Sequence, residues 1–242
     1  MLFSPAVITP YFRESQQELE RCHQSVVQQD VPCAHFLVAD GFAKEVLSEW
    51  NVQHLILPSS HRDYGNTPRA IGAISAINHG HNPILFLDAD NWFAPQHVSS
   101  IIDTKKLKPN ADIVVSMRQL TLPDGTSVEP DIEDYKRTHV DTSCMAFFES
   151  AFFLLPLWGT MTKPLSVIGD RIMYRAMKMA SASIAWTGKR TLFYTTNYAH
   201  HWRRAGKQPP LNTYKLDHSA LKDFSSEQLY AWSRLRLNLR NQ

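Results

Sequence analysis

What this chain has little of narrows the field first. Its 242 residues include three cysteines, Cys22, Cys33 and Cys144. That odd number, at spacings matching neither a zinc site nor a disulfide framework, points to a reducing compartment, so a cytoplasmic location is expected. No apolar run approaches the ~20 residues that cross a bilayer, and the opening MLFSPAVITP lacks the basic start of a secretory leader. Charge of one sign is scarce too: 25 basic against 23 acidic residues leave a net charge of +2, too even a balance for nucleic acid to be the expected partner. There is no internal repeat, no low-complexity linker and no glycine-rich phosphate loop after the first strand, where TPYFRES stands instead. What is present, 43% hydrophobic residues, is enough to bury the core of one domain.

Strand and helix signals alternate along the first hundred residues. PAVITP reads as a β-branched strand, and Glu14 to Gln29 carries Leu19, Cys22, Val26 and Val27 at helical spacing. AHFLVADG is a second strand closing on Asp40 and Gly41, and VQHLILP a third. NTPRAIGAISAINHG has a polar start, Pro68 in its first turn and Gly80 at its end, which are helix boundaries, and PILFL is a fourth strand. This order predicts an α/β fold with a mostly parallel sheet flanked by helices, whose ligands bind beyond the carboxyl ends of the strands. Further on, ADIVVSM predicts a fifth strand and RQLTLPDGTSVEP a hairpin about a Pro-Asp-Gly turn. GDRIMYRAMKMA predicts a helix, SIAWTG and TLFYTTNY two late strands, and SSEQLYAWSRLRLNLR a C-terminal helix with a stripe of Leu229, Trp232, Leu235 and Leu239.

ILFLDADNWF places two carboxylates at the mouth of the core. In an extended segment Asp88 and Asp90 project to one side while Ala89 points away. Carboxylates that close repel unless a positive charge lies between them, and a hard divalent ion, Mg2+ or Mn2+, suits oxygen ligands and leaves positions for phosphate oxygens. The competing reading is that Asp90 or Asn91 caps a helix beginning near Pro95 and Asp88 is a solvated strand end.

The segment GNTPRAIGAISAINHGHNPILFLDADNWF, together with VITPYFRESQQELERCHQSVVQQDVPCAHFLVADG, resembles inverting family 2 glycosyltransferases of the GT-A (Rossmann-like) fold. The likeness runs from about Pro5 to Phe93. It implies a nucleotide-sugar-binding half over residues 1–118 and an acceptor-side half over 119–242, with the late strands and the C-terminal helix in the same domain. It implies that Thr9, Pro10 and Asp40 line the base and ribose pocket, that Arg69 holds nucleotide or diphosphate, that Asp88 faces ribose and metal, and that Asp90 is the principal metal ligand. Activity would be sugar transfer from a UDP- or GDP-linked donor to a glycan or lipid-linked acceptor, assisted by Mn2+ or Mg2+. A catalytically silent nucleotide-sugar-binding module and a sugar nucleotidyltransferase are the alternatives.

An inverting transfer needs one general base. By the same resemblance Asp170, in SVIGDRIMYRAM, stands where that base belongs, with Gly169 in place of the usual acid; Asp141 is a second candidate, for base or acceptor binding. In NYAHHWRRAGK, His200 or His201 is a candidate to complete the metal site, one of them only, since neighbours in a strand face opposite ways. Arg203, Arg204 and Lys207 are candidates to clamp diphosphate. Trp92 is a candidate for the acceptor pocket, and His61 to Tyr64 for a loop beside the nucleotide. Arg234, Arg236 and Arg240 on the C-terminal stripe suggest peripheral contact with anionic lipid at the inner face of a membrane.

Overall fold

A computed structural model describes residues 3–213. β1 (Ala6–Tyr11) is buried at all six positions, so it needs apolar or paired side chains on both faces. α1 (Gln16–Val27) starts at a capping box: Ser15 Oγ accepts from Glu18 N, and Glu18 Oε2 accepts from Ser15 N at 2.7 Å. Leu19, Cys22 and Val26 then fall on its buried face at spacings of three and four. β2 (Ala34–Asp40) pairs parallel to β1, and β3 (Gln53–Leu57) pairs parallel to β2 at the sheet edge, where Ile56 is exposed.

α2 (Asn66–Asn78) lies against β1 and β2 at close range because Gly72 lets it: a Cβ there would stand 2.6 Å from Ile8 Cγ2 and 2.8 Å from Val38 Cγ2. β4 (Ile84–Phe86) pairs parallel to β1. Next come β5 (Trp92–Phe93) and α3 (His97–Leu107), whose cap position is Gln96. Neither Asp90 nor Asn91 caps that helix, so the competing account of the aspartate pair fails; Asn91 Oδ1 instead accepts from Thr195 N at 2.8 Å.

The second half departs from the parallel pattern. β6 (Ile113–Thr121) and β7 (Ser127–Val128) make the expected hairpin, followed by α4 (Ile132–Lys136). β8 (Met145–Phe147) runs antiparallel between β4 and β6. A long 3-10 stretch, Glu149–Thr160, lays Leu154, Leu155 and Trp158 into the core, with Trp158 edge-on to Phe86 at 5.9 Å. α5 (Lys163–Ser166) and α6 (Gly169–Met179) lead to β9 (Ile184–Thr195), which fuses the two expected late strands into one beside β6. α7 (Ala199–Arg204) is a short helix where an extended segment was expected. The sheet order is β3-β2-β1-β4-β8-β6-β9-β5, with β7 paired to β6. Mixed rather than mostly parallel, it has a parallel N-terminal half because helices cross between its strands, and antiparallel pairing at β8. The C-terminal stripe of leucines and arginines lies outside the described residues. Among the described residues no helix is long and apolar enough to cross a membrane.

Two buried histidines make the fold acid-sensitive. His35 sits with Nε2 3.0 Å from Thr9 Oγ1 and Nδ1 2.9 Å from His23 Nδ1; burial, then His23, lowers its pKa to about 3. His97 stacks on Phe93 and meets Thr191 Oγ1 at 2.9 Å, and burial lowers its pKa to about 3 as well. Unfolded, each takes its proton near ~6.5. Between those values the folded chain binds fewer protons, so stability falls as pH drops, by up to ~1.4 kcal/mol per pH unit for each histidine. Urea midpoints measured from about pH 7 down to about pH 4 should decline, and His97→Gln should make the decline shallower. Parallel curves for the variant and the parent would contradict this.

Candidate functional site

At the carboxyl ends of β1, β2 and β4 opens a cleft of about 800 Å³. Its walls bring together Pro10, Asp40, Arg69, Asp88, Asp90 and Asp170. Six of the residues singled out from the sequence therefore share one cavity, although they lie on separate elements, and Asp141 joins them.

Asp40 ends β2 but does not present a free carboxylate. Oδ2 accepts from Ser60 Oγ at 3.0 Å, while Oδ1 accepts from His61 N at 3.0 Å and meets His61 Nδ1 at 2.7 Å. It is a latch holding the Ser60–His61 turn at the cleft wall. Gly41 makes the latch possible: its φ is +84°, and a Cβ there would stand 2.5 Å from Ser60 N. The next turn carries Arg62 and Tyr64 at positive φ and leads into α2, where Asp63 Oδ2 accepts from Thr67 N at 2.8 Å. Tyr64 is exposed at the rim.

Arg69 leaves the first turn of α2 and is almost fully buried. Nη2 donates to Asp88 Oδ1, and Nη1 donates to Tyr64 O at 2.7 Å and Asn66 Oδ1 at 3.2 Å, with Trp158 beneath the guanidinium at 5.5 Å. The Arg69–Asp88 pair ties the helix start to the end of the β4 segment. Asp88 and Asp90 converge through a tight turn, not through extended chain: Asn91 N donates to Asp88 O at 2.9 Å. Asp90's own carbonyl is gripped by Arg21 Nη2 at 2.6 Å and Thr195 Oγ1 at 2.5 Å. Burial pushes the Asp90 carboxyl up to about 7, and Asp88, Glu14 and Asp141 add to the rise.

Across the cleft, Asp170 stands in the first turn of α6. His139 Nε2 lies 2.6 Å from Oδ2, and Arg171 N donates to Oδ1 at 2.6 Å. Burial alone would raise this carboxyl, but the His139 hydrogen bond and charge, with the Arg171 amide, outweigh it and hold it below its ordinary value. Gly169 is glycine because a Cβ would stand 3.0 Å from the Asn66 amide and 3.1 Å from Trp158, which leaves no room for an acidic side chain. Asp141 is buried between the two sides; its Oδ1 accepts from Ser143 N, and Arg118 Nη1 lies 3.7 Å from Oδ2. Burial raises the Asp141 carboxyl, Arg118 opposes that, and Asp88 and Asp170 add to it.

Other expected residues lie elsewhere. Thr9 is buried beneath the floor, bonded to His35, and does not line the cleft. Trp92 packs face to face with Phe193 at 5.3 Å, with Arg21 over its ring at 4.2 Å, which is a packing role. His200, His201, Arg203 and Arg204 ride on α7 and are absent from the lining. His201 faces Asp131 at 3.1 Å, Arg204 donates to Asp131 Oδ1 and Glu129 O at 2.9 Å, and Lys207 meets Asp124 at 2.5 Å. Their helical backbone and the pull of Asp131 separate them from Asp88 and Asp90. Sequence reasoning missed His139 and Arg118. Their partners are 31 and 16 residues away, Asp170 and Asp134, and no local pattern marks that pairing.

Gly41→Ala should cost at least ~1–2 kcal/mol from the backbone alone, before the collision with Ser60 is counted. A thermal or urea melt should show that loss, and the Asp40 latch should loosen so that proteolysis near His61 quickens. A melt unchanged from the parent would refute the assignment.

No protein-family model matches the chain, and no curated protein matches its sequence. Solved structures do. S. aureus TarS 1-349 in complex with UDP aligns with a TM-score of 0.63 at 13% identity, over 84% of this chain and 63% of that one. The same protein in complex with UDP-GlcNAc aligns at 0.59 and 13%, over 83% and 61%. TarS itself aligns at 0.61 and 14%, over 83% and 38%. The chain thus spans a little under two thirds of the TarS 1-349 structures, and at this identity what is shared is the fold: a GT-A-like α/β architecture with a central sheet flanked by helices.

Proposed function

We propose that the chain is a glycosyltransferase that moves a sugar from a nucleoside-diphosphate donor to an acceptor hydroxyl, by a single inverting displacement. One observation carries the reading: in a GT-A-like fold, a single cleft gathers Arg69, Asp88 and Asp90 on one side and a histidine-backed Asp170 on the other. Residues 1–118 supply the donor side and the segments after 119 the acceptor side.

The donor set fits a hard dication. Asp90 is a crowded carboxyl facing Asp88 and Asp141, and among the described residues no ion pair reaches its side chain, so it gains most from a positive charge. Asp88 and Asp90 would hold Mn2+ or Mg2+, which would supply neutralisation of charge growing on a departing diphosphate. The chain's own residues do the rest. Arg69, anchored on Tyr64 O and Asn66, offers a fixed guanidinium beside the same diphosphate. Tyr64, Arg62 and Pro10 border the space for the nucleoside.

Asp170 accepts the proton of the acceptor hydroxyl as that oxygen bonds to the anomeric carbon and the bond to the diphosphate breaks. His139, itself buried, holds the carboxylate ionised and aimed while Asp170 stays partly open to the cleft. TarS structures carry UDP and UDP-GlcNAc, which makes uridine donors the first to test.

Adding UDP with Mn2+ should raise the melting temperature more than either alone, and Asp90→Asn should remove the metal-dependent part. Equal shifts with and without Mn2+ would sink the cation at this site. In a panel of nucleotide sugars, Asp170→Asn should lower turnover by ~10²-fold or more while UDP/Mn2+ affinity stays within about 2-fold. Retained turnover would remove Asp170 from the role. Binding of UDP and Mn2+ without transfer or hydrolysis of any donor would identify a binding module instead.

A further inference from the structure

The late histidines gather around a carboxylate outside the cleft. One ligand atom each from Asp131, His200 and His201 lies within 4.8 Å of the others. His201 is 3% exposed, and its Nδ1 is 2.6 Å from Thr196 Oγ1, which sets the ring so that Nε2 faces Asp131 at 3.1 Å. Asp131 is steadied in turn by Arg204 on Oδ1 at 2.9 Å. One ring nitrogen anchored by an outer partner, with the other turned toward a shared point beside Asp131, is the arrangement that orients metal-binding imidazoles.

Charge and chemistry agree with a cation. Asp131, Asp134 and Asp141 share the buried Arg118 at 3.7, 3.0 and 3.7 Å, and Arg204 adds a second guanidinium. Three carboxylates against two guanidiniums leave negative charge in excess. Two imidazoles and one carboxylate suit a borderline ion such as Zn2+, with a position left for water, and do not suit Mg2+, which prefers an all-oxygen shell.

We propose that Asp131, His200 and His201 form a transition-metal site, distinct from the Asp88/Asp90 pair, that clasps α7 to the start of α4. β9, which α7 follows, ends at Thr195, whose hydroxyl supports the Asp90 carbonyl. The clasp therefore ties the 129–134 segment to the strand beneath the cleft.

Zinc chloride titrated into metal-stripped protein should show one ion per chain and a raised melting temperature. His200→Gln, at a half-buried position, should weaken zinc by at least ~10-fold, while Asp90→Asn should leave it unchanged. Co2+ bound to the parent protein should show visible ligand-field absorption with imidazole character, a readout that stands even if the variant misfolds. No zinc-dependent stabilisation of the parent, or equal zinc affinity in His200→Gln, would overturn the proposal. So would a loss caused by Asp90→Asn, which would return the histidines to the cleft ion. None of these readouts needs a sugar donor, so the clasp stands or falls apart from the proposed transfer activity.

Discussion

Crowding of like charge is the constraint around which the cleft is built. Asp88, Asp90, Asp141 and Asp170 all face it, and carboxylates gathered in a partly buried space repel unless each is offset. Three have ion partners: Arg69 on Asp88, Arg118, shared with Asp131 and Asp134, behind Asp141, and His139 on Asp170. Asp90 has no such ion pair among the described residues, and its carboxyl is the one raised to about 7. Among the described residues, Asp90 is thus the one of the four without an ion partner.

Those partners explain much of the surrounding architecture. Arg69 reaches Asp88 only because α2 packs close enough to the sheet, and that approach depends on the bare backbone of Gly72 between Ile8 and Val38. Trp158, carried in by the 3-10 stretch, closes the space beneath the guanidinium. Arg118 is buried among Asp131, Asp134 and Asp141, so one charge knits the hairpin strand β6 to the start of α4 and to the cleft wall. Removing a partner from such a network leaves a buried charge uncompensated, which costs more than the pair itself contributes.

The two sides of the cleft also differ in kind. The wall built from β1, β2, β4 and α2 is parallel strand and helix, with turns at Gly41 and Gly65 that only positive φ allows. The opposite wall is assembled from short pieces: α4, a single 3-10 turn at Thr142–Cys144, β8 and the start of α6. Short elements contribute few ladder bonds, so their side-chain network of aspartates, His139 and Arg171 does the positioning. Asp170 depends on His139 and on its own helix start, two parts separated by 31 residues.

Periodicity and local chemistry alone determined the N-terminal half of the fold. Buried parallel strands read as unbroken apolar runs, α1 announced itself through Leu19, Cys22 and Val26 at helical spacing, and strand ends put Pro10, Asp40 and the Asp88/Asp90 pair on one edge, because chain direction and a parallel order place all such ends together. Tertiary structure decided the rest. It gave Asp40 partners in Ser60 and His61, because those residues come from a neighbouring turn. It moved His200, His201 and Arg204 onto Asp131, some 70 residues earlier in the chain, because α7 curls where an extended run was expected. It also set His139 behind Asp170 and Arg118 behind Asp141. Pairings of this kind depend on which segments the sheet order brings side by side, and a one-dimensional pattern of residue types carries no distance between segments.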